Sequence, residues 1–249
     1  IHATFFAGQG NKVNGSYQFN SIAICHVIGG PEYAINLTGQ SADIKYSLSN
    51  KSIDFGKEDY SSNEITNSKF TDCDLPSGEN YLFSVQRDIN FDNVEFSFSQ
   101  TKIGAIKVEY PGKISIKNSV FRKCFVDNGI GNAIYISTKN SSINTEEEVE
   151  ESILVTIENN YFESCGNLGY VNFIESRHAL MQNNTIEFKQ DENSCGAFCI
   201  TCCGNITIID NHFINTRAKG TILYEPESVA TEEDFLIIQN CTFNECDGT

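Results

Sequence analysis

The cysteines are the residues of this chain whose types and spacing come closest to a chemical site. The densest group spans nine residues and consists of Cys195, Cys199, Cys202 and Cys203. A structural zinc site usually answers one C-x2-C pair with a second pair at a distance, and no second pair occurs here. Local disulfides and buried thiols are the alternatives to metal. We therefore predict no metal and no cofactor.

Two more cysteines, Cys124 and Cys165, hold equivalent places in consecutive copies of a repeat. If the copies stack one strand spacing apart, these backbones lie within disulfide reach. Stacked buried thiols would fit the same place. The disulfide candidates are Cys124, Cys165, Cys195, Cys199, Cys202 and Cys203.

Motifs of known catalytic chemistry are missing from the chain. No nucleophile motif, Gly-rich phosphate loop or H-E-x-x-H occurs. The four histidines are far apart in the repeat. His212 directly precedes a core position and should point outward, and Arg177-His178 should lie in a turn. These features favour a non-catalytic protein over an enzyme.

Charge and composition restrict the partners and the compartment. A net charge of −16 opposes binding to nucleic acid or an anionic membrane. Ten cysteines and seven N-x-S/T sequons indicate an extracellular or cell-surface protein, with an intracellular assembly as the alternative because an Asn-rich chain also produces sequons by chance. No stretch is long and apolar enough to insert in a membrane. The glycosylation candidates are Asn14, Asn36, Asn50, Asn140 and Asn205, since Asn183 and Asn240 fall within the repeated phrase.

A short sequence phrase is repeated along the chain and indicates which structural elements would carry these residues. Each copy has an apolar residue, Asn or Asp two positions later, and Phe or Ile three positions after that. The last position is occupied by Phe70, Phe96, Phe121, Phe162, Ile186, Phe213 and Phe243, at intervals of 26, 25, 41, 24, 27 and 30 residues. A period in the twenties with occasional excess is typical of a solenoid whose insertions are loops.

A second phrase lies between the copies and consists of a glycine followed by a short alternating strand, as in Gly104-Ala105-Ile106 and Gly220-Thr221-Ile222. Short strands with period-two patterning and no helical stripe predict an all-β fold. We predict a right-handed parallel β-helix solenoid of about eight to ten coils, each 24–30 residues long. Residues 1–60 would form degenerate coils or a cap, and residues 61–249 would form regular coils.

The same register assigns roles to the repeated residues. The Asn and Asp positions (67, 93, 118, 159, 183, 210 and 240) would share one bend of successive coils. Asn tolerates the left-handed backbone of a sharp bend, and stacked amides bond along a column. The Phe and Ile positions would form one interior row.

Two acidic insertions, near residues 138–152 and 225–234, are the candidate partner-facing loops. They contain Glu146, Glu147, Glu148, Glu150, Glu151, Glu232, Glu233 and Asp234. Runs of this kind usually form a solvated face, but two loops leaving one corner would make a negative rim. The last copy of the phrase ends at Cys246 without a polar cap, which predicts end-to-end stacking with another chain or domain, or a longer protein.

The two phrases resemble those of the right-handed parallel β-helix (pectate-lyase-like) superfamily. They are most similar to polymorphic-membrane-protein repeats, which alternate Gly-Gly-aliphatic with Phe-x-x-Asn. One Gly replaces two here, and Cys or Thr takes the place of the Asn after Phe, as at Cys124 and Thr216. The resemblance implies an adhesin-like surface protein. The enzymes of the superfamily use Asp pairs, or Arg and Lys with calcium, and their Gly-His-Gly and Arg-x-Pro-x-x-Arg motifs do not occur here.

Three functions follow from these observations. The first is a non-catalytic surface or secreted β-helix that presents a rigid face to a protein partner or a host or cell-surface ligand. The second is an architectural subunit of a larger assembly. The third is a polysaccharide lyase or hydrolase, since the fold alone does not decide activity.

Overall fold

The structure is a computed structural model that describes residues 42–47, 53–55, 63–74, 81–85, 88–98, 104–109, 113–124, 133–137, 155–165, 171–174, 178–188, 197–201, 205–216, 221–224 and 235–246. These residues form strands, bends and short connections, without a helix among them. The strands are β1 (Ala42–Ser47), β2 (Ile53–Phe55), β3 (Asn63–Asp74), β4 (Tyr81–Val85), β5 (Ile89–Ser97), β6 (Gly104–Glu109), β7 (Ile114–Lys117), β8 (Val120–Arg122), β9 (Ile134–Ser137), β10 (Val155–Glu158), β11 (Tyr161–Glu163), β12 (Val171–Ile174), β13 (His178–Gln182), β14 (Thr185–Glu187), β15 (Phe198–Thr201), β16 (Asn205–Ile209), β17 (His212–Ile214), β18 (Ile222–Tyr224), β19 (Leu236–Gln239) and β20 (Thr242–Asn244).

The strands form two sheets in which neighbours along the stack are parallel and come from successive copies of the repeat. The larger sheet has 13 strands; β5 pairs with β3, β7 and β8, and from there the order runs β7-β10-β13-β16-β19 on one branch and β8-β11-β14-β17-β20 on the other. The smaller sheet has seven strands in the order β2-β4-β6-β9-β12-β15-β18. This pattern confirms an all-β parallel solenoid. The right-handed sense and the count of about eight to ten coils stay predictions.

The predicted interior row of aromatic residues is confirmed. Pairing aligns Phe70, Phe96, Phe121, Phe162, Ile186, Phe213 and Phe243 through consecutive strands. The first four rings stack with centroids 5.3, 5.0 and 4.8 Å apart. Every member up to Phe213 has no solvent exposure. Aromatic pairs of this kind add about 0.5–1.5 kcal/mol each to the burial energy, so the row fixes strand register.

The smaller sheet closes the core from the opposite side with rings that meet the row edge-on. Phe83 lies 5.0 Å from Phe70 at an interplanar angle of 85°. Phe198 lies 5.5 Å from Phe213 at 83°. Stacking along the solenoid and edge-to-face contacts across it are the two geometries that aromatic quadrupoles favour.

The predicted left-handed bend is also confirmed at six of its seven positions, all except Asn67, which lies within β3. Six residues in the same place of successive copies have positive φ between 50° and 57°: Asn93, Asn118, Asn159, Asn183, Asp210 and Asn240. Some of their side chains bond along the column, since Asn183 Nδ2 donates to Asn159 Oδ1 at 2.7 Å. A second left-handed bend, which the sequence did not indicate, follows five residues later at Lys123, Ser164, Asn215 and Glu245. A left-handed backbone costs an ordinary residue about 1–2 kcal/mol, so packing against neighbouring coils must hold it there.

A run of side-chain hydrogen bonds lies one residue after the first bend. Asn160, Asn184 and Asn211 are at most 2 % exposed, and we call them the asparagine ladder. Asn184 Oδ1 accepts from the main-chain N–H of Asn160 at 3.0 Å, and Asn211 Oδ1 accepts from that of Asn184 at 2.9 Å. Ser119 begins the series, because its N–H donates to Asn160 Oδ1 at 2.9 Å.

The ladder also satisfies the carbonyls of the preceding strands. Asn184 Nδ2 donates to the carbonyl of Ile157, and Asn211 Nδ2 to that of Met181, both at 2.9 Å. A bend removes main-chain groups from the regular strand pairing, and buried groups must find other partners. The ladder therefore makes a sharp bend compatible with burial.

Candidate interaction surfaces

An ordered charged network covers the outer face of β8, β11 and β14. Arg122 Nη1 lies 3.0 Å from Glu95 Oε1, and Arg122 Nε lies 2.9 Å from Glu163 Oε2. These side chains alternate with the buried Phe row, so strand geometry places them on the outside. The Arg122 guanidinium also lies 5.9 Å from the centre of the Tyr161 ring. One arginine thus joins three coils.

Tyr161 extends the network to the next coil. Its hydroxyl donates to Glu187 Oε2. Desolvation raises the pKa of Tyr161 well above its ordinary value, and the Glu187 hydrogen bond and the nearby carboxylates of Glu163 and Glu187 add to this, while Arg122 opposes it. Tyr161 therefore stays protonated and acts as a fixed hydrogen-bond donor.

The arrangement of side chains on this face suits binding better than proton transfer. Arg122 already contacts two carboxylates, and Tyr161 is bonded to a third. An acid/base pair needs two groups aimed at one substrate position, whereas these groups are aimed at each other. Within the part of the chain that the structure describes, no group of three or more His, Cys, Asp or Glu residues could hold a metal ion.

A second polar cluster involves β4, β6 and β9 of the smaller sheet. Lys107 Nζ lies 5.9 Å from the centre of the Tyr135 ring, and the rings of Tyr81 and Tyr135 are 6.2 Å apart. Gly104, which has no side chain, pairs with Tyr81 and lies on the strand between β4 and β9. Burial, followed by the charge of Tyr135, raises the pKa of Tyr81 well above its ordinary value.

The third surface is the end of the stack formed by β18, β19 and β20, which we call the C-terminal rung. These three strands are the last members of their sheets. Phe235, Ile237, Ile238 and Phe243 are exposed, between 41 % and 52 %. In the preceding coil the partners of Ile238 and Phe243 have no exposure. The large exposed apolar residues among the described positions are thus concentrated here.

Five cysteines are thiols in this structure: Cys124, Cys165, Cys199, Cys241 and Cys246. Cys124 and Cys165 are completely buried, and no disulfide joins any of these five cysteines. Cys165 Sγ donates to the carbonyl of Phe121 at 3.5 Å, and Cys124 Sγ contacts the carbonyl of Arg122 at 3.6 Å. The disulfide prediction therefore has no structural support at Cys124, Cys165 and Cys199. Cys199 is buried, and Cys195, Cys202 and Cys203 lie outside the described residues.

Most other candidate site residues lie outside the described part of the chain. The sequons at Asn14, Asn36, Asn50 and Asn140 and the acidic residues of 146–151 and 232–234 lie outside the described ranges. Asn205 opens β16 and is partly exposed. His212 points outward as predicted, with Nδ1 2.7 Å from Thr242 Oγ1. The turn predicted for His178 is wrong, because this residue begins β13 and pairs with Asn205.

Comparisons with known proteins identify no relative of the chain. No protein-family model matches, and no curated protein or solved structure matches significantly. Among the described residues there is also no helix long and apolar enough to cross a membrane. The adhesin-like resemblance therefore stays a prediction from the two phrases.

Proposed function

We propose that this protein is a non-catalytic β-solenoid that presents a rigid surface for adhesion or protein–protein assembly. The observation that carries the proposal is the mutual pairing of Glu95, Arg122 and Glu163 across three coils. Paired side chains are already ordered, so a partner binding over them loses less conformational entropy. An active site would instead need such groups to converge on a substrate.

The finer form of the proposal is a right-handed β-helix of about eight to ten coils with an adhesin-like role at the cell surface or in secretion. The seven sequons and ten cysteines support that location. A second candidate is an architectural subunit of a larger assembly. The buried thiols of Cys124 and Cys165 favour this second candidate, since disulfides are rare in reducing compartments.

An activity screen tests the non-catalytic part of the proposal. The full chain is incubated with neutral and acidic polysaccharides, with and without calcium, and new reducing ends and unsaturated products are measured. We expect no turnover above a boiled control. Turnover that decreases in both Arg122→Met and Tyr161→Phe would refute the proposal and establish the third, enzymatic hypothesis.

A mass measurement distinguishes the two candidate roles. The intact protein, purified from its native source, is weighed before and after reduction and after enzymatic deglycosylation. A decrease on deglycosylation or a gain of two hydrogens per disulfide on reduction supports the surface role. An unchanged mass supports the intracellular assembly.

A further inference from the structure

The outer face of the branch β7-β10-β13-β16-β19 changes from charged to uncharged along the stack. On β7 and β10 the outward positions include Lys117 and Glu158, which form an ion pair at 2.9 Å. The outward positions of β13, β16 and β19 contain no Asp, Glu, Lys or Arg. Two neighbouring rows of outward positions there form what we call the uncharged patch: His178, Asn205 and Phe235, and next to them Leu180, Thr207 and Ile237.

The uncharged patch lies on the side of the solenoid, where a further coil would not cover it. Leu180 pairs with Thr207, and Thr207 pairs with Ile237, so the patch runs along the direction of stacking. Coils of a solenoid are added at the ends of the stack, and another coil would lengthen this face. Phe235 is directed outward in the same way, because strand directions alternate and the residue after it pairs with the buried Ile206.

A glycosylation sequon lies on the middle strand of the patch. Asn205-Ile206-Thr207 has the N-x-T pattern, and β16 alternates so that Asn205 and Thr207 are partly exposed while Ile206 is buried. Asn205 pairs with His178 on one side. Phe235 lies beside it on the other, since the Ile206 N–H donates to the Phe235 carbonyl at 2.9 Å. Asn205 therefore projects outward between two uncharged neighbours.

The Asn205 side chain has a different place in the fold from the Asn of the other two described sequons. Asn183 and Asn240 occupy the left-handed bend, with φ of 52° and 53°, and the side chain of Asn183 is bonded to Asn159. Asn205 begins β16 and belongs neither to the bend nor to the asparagine ladder. A group attached to its amide leaves the hydrogen bonds of both intact.

We propose that Asn205 carries an N-linked glycan whose first sugars cover the uncharged patch. In the secretory pathway, Asn205 Nδ2 attacks the anomeric carbon of an oligosaccharide that is carried on a lipid diphosphate. The new N–C bond replaces the C–O bond to the diphosphate, which leaves with the bonding electron pair, and the amide loses one proton. Transfer takes place on the unfolded chain, and the outward direction of Asn205 lets the folded solenoid accommodate the product.

A glycan suits this patch because it is bulky, solubilising and uncharged. The C–H faces of its sugars pack on the side chains of His178, Leu180 and Phe235, while its hydroxyls face water. Large apolar side chains on an outer face otherwise favour aggregation. The inference rests on the surface form of the proposed function and adds to it, because a covered patch leaves the charged network around Arg122 as the face open to a protein partner.

Glycopeptide mapping of the full chain from its native source tests the site. A glycosidase that converts each glycan-bearing Asn to Asp is applied, and the peptides are weighed. We expect this conversion at Asn205 in most molecules. A chain that is glycosylated elsewhere but not at Asn205 overturns the inference and leaves the surface role standing, whereas a chain without any glycan removes both.

Two substitutions of Thr207 provide the matched control in the full chain secreted from a eukaryotic cell line. Thr207→Ser keeps the sequon, whereas Thr207→Val keeps the shape of the side chain and removes the sequon. We expect the Asn205 glycan in the wild type and in Thr207→Ser, and its loss in Thr207→Val and in Asn205→Gln. Equal glycan mass in all four proteins would overturn the inference. Unchanged far-ultraviolet circular dichroism establishes that the variants fold.

Thermal melting tests whether the glycan lies on the patch. Asn205→Gln should lower the Tm by about 2 °C or more. Leu180→Ser removes a contact within the patch, and there the same loss should shrink by at least about half. Val120→Ser is the control, because Val120 is an outward aliphatic residue of β8, next to the charged network; there the loss should equal that of the wild type. Equal losses in all three backgrounds would show that the glycan does not cover the patch.

Discussion

The asparagine ladder predicts that the same substitution at two adjacent asparagines changes the free energy of unfolding by very different amounts. Asn183 is exposed and has a φ of 52°, whereas Asn184 is completely buried. We predict that Asn183→Gly is tolerated and that Asn184→Gly is strongly destabilising. Glycine adds the same backbone entropy to the unfolded chain in both variants. The difference between their free energies of unfolding therefore reports the different roles of the two side chains.

The magnitude for Asn184 follows from the groups that would lose their partners. Removing its side chain leaves the N–H of Asn160 and the carbonyl of Ile157 unsatisfied inside the solenoid. An orphaned buried polar group costs about 1–3 kcal/mol, so the loss for the two groups should be about 2–6 kcal/mol. Asn160 Nδ2 keeps its bond to the Ile116 carbonyl, which limits the damage to these two groups.

The expected loss for Asn183 is much smaller. Its substitution removes one exposed hydrogen bond, to Asn159, and glycine takes up a left-handed backbone without the steric cost that other residues pay. We expect a change below about 1 kcal/mol.

Urea denaturation followed by far-ultraviolet circular dichroism measures both free energies of unfolding. We expect Asn184→Gly to lower the midpoint clearly and Asn183→Gly to shift it little, with similar m-values. Equal losses in the two variants would show that the ladder does not stabilise the bends as we infer.

Three more predictions concern the core, the tyrosines and the charged face. Phe162→Ala should cost about 3–5 kcal/mol, whereas Phe243→Ala, already 52 % exposed, should cost far less; equal midpoints in urea would contradict the stacked row. Because the folded-state pKa of Tyr81 and Tyr161 is raised, the contribution of these two tyrosines to stability should be constant below about pH 10 and fall as the pH rises beyond it. Tyr161→Phe should reduce that fall when the free energy of unfolding in urea is measured at a series of pH values above about 9, and an unchanged slope would speak against it. Arg122→Met should change stability by less than about 1 kcal/mol, because its side chain is 39 % exposed; a loss of several kcal/mol would mean that the network is structural.

The regular part of the fold could be predicted from the sequence because certain positions of the repeat require the same type of residue in every coil. Only an aromatic or large aliphatic side chain fills the position of Phe121, and Asn is favoured where φ is positive, as at Asn118. Repetition of these requirements at a fixed period predicted both the interior row and the first bend.

The ladder and the second bend could not be predicted because several residue types satisfy them. The ladder place is taken by Val94, Ser119, Asn160 and Cys241 in different coils, since a side-chain hydroxyl can replace an amide there, as Ser119 does for the N–H of Val94 at 3.1 Å. The second bend accepts even Lys123 and Glu245. At such positions the backbone must bend but many side chains are accepted. The residue type therefore does not repeat, and the sequence shows no pattern.

The candidate site was predictable only in part. The acidic loops and most sequons are recognisable as local sequence patterns. In the charged network, by contrast, Arg122 contacts Glu95 and Glu163, which are 27 and 41 residues away from it in the sequence. Such contacts depend on the register of the stack. The single Glu, Arg and Tyr residues involved carry no local signal, so only the structure brings them together.

The position of the asparagine ladder also sets the order in which the molecule comes apart on heating. The ladder clamps the coils between Ser119 and Asn211, whereas Cys241 takes its place in the last coil with a longer Sγ contact of 3.6 Å to the Ile208 carbonyl. Each coil of a solenoid is held mainly by its neighbours, so the coil of β19 and β20, which lacks the asparagine clamp, should open more readily than the coils between Ser119 and Asn211. Amide hydrogen exchange should therefore be faster in that coil and slowest where the clamp is continuous, so that local stability changes in steps along the solenoid.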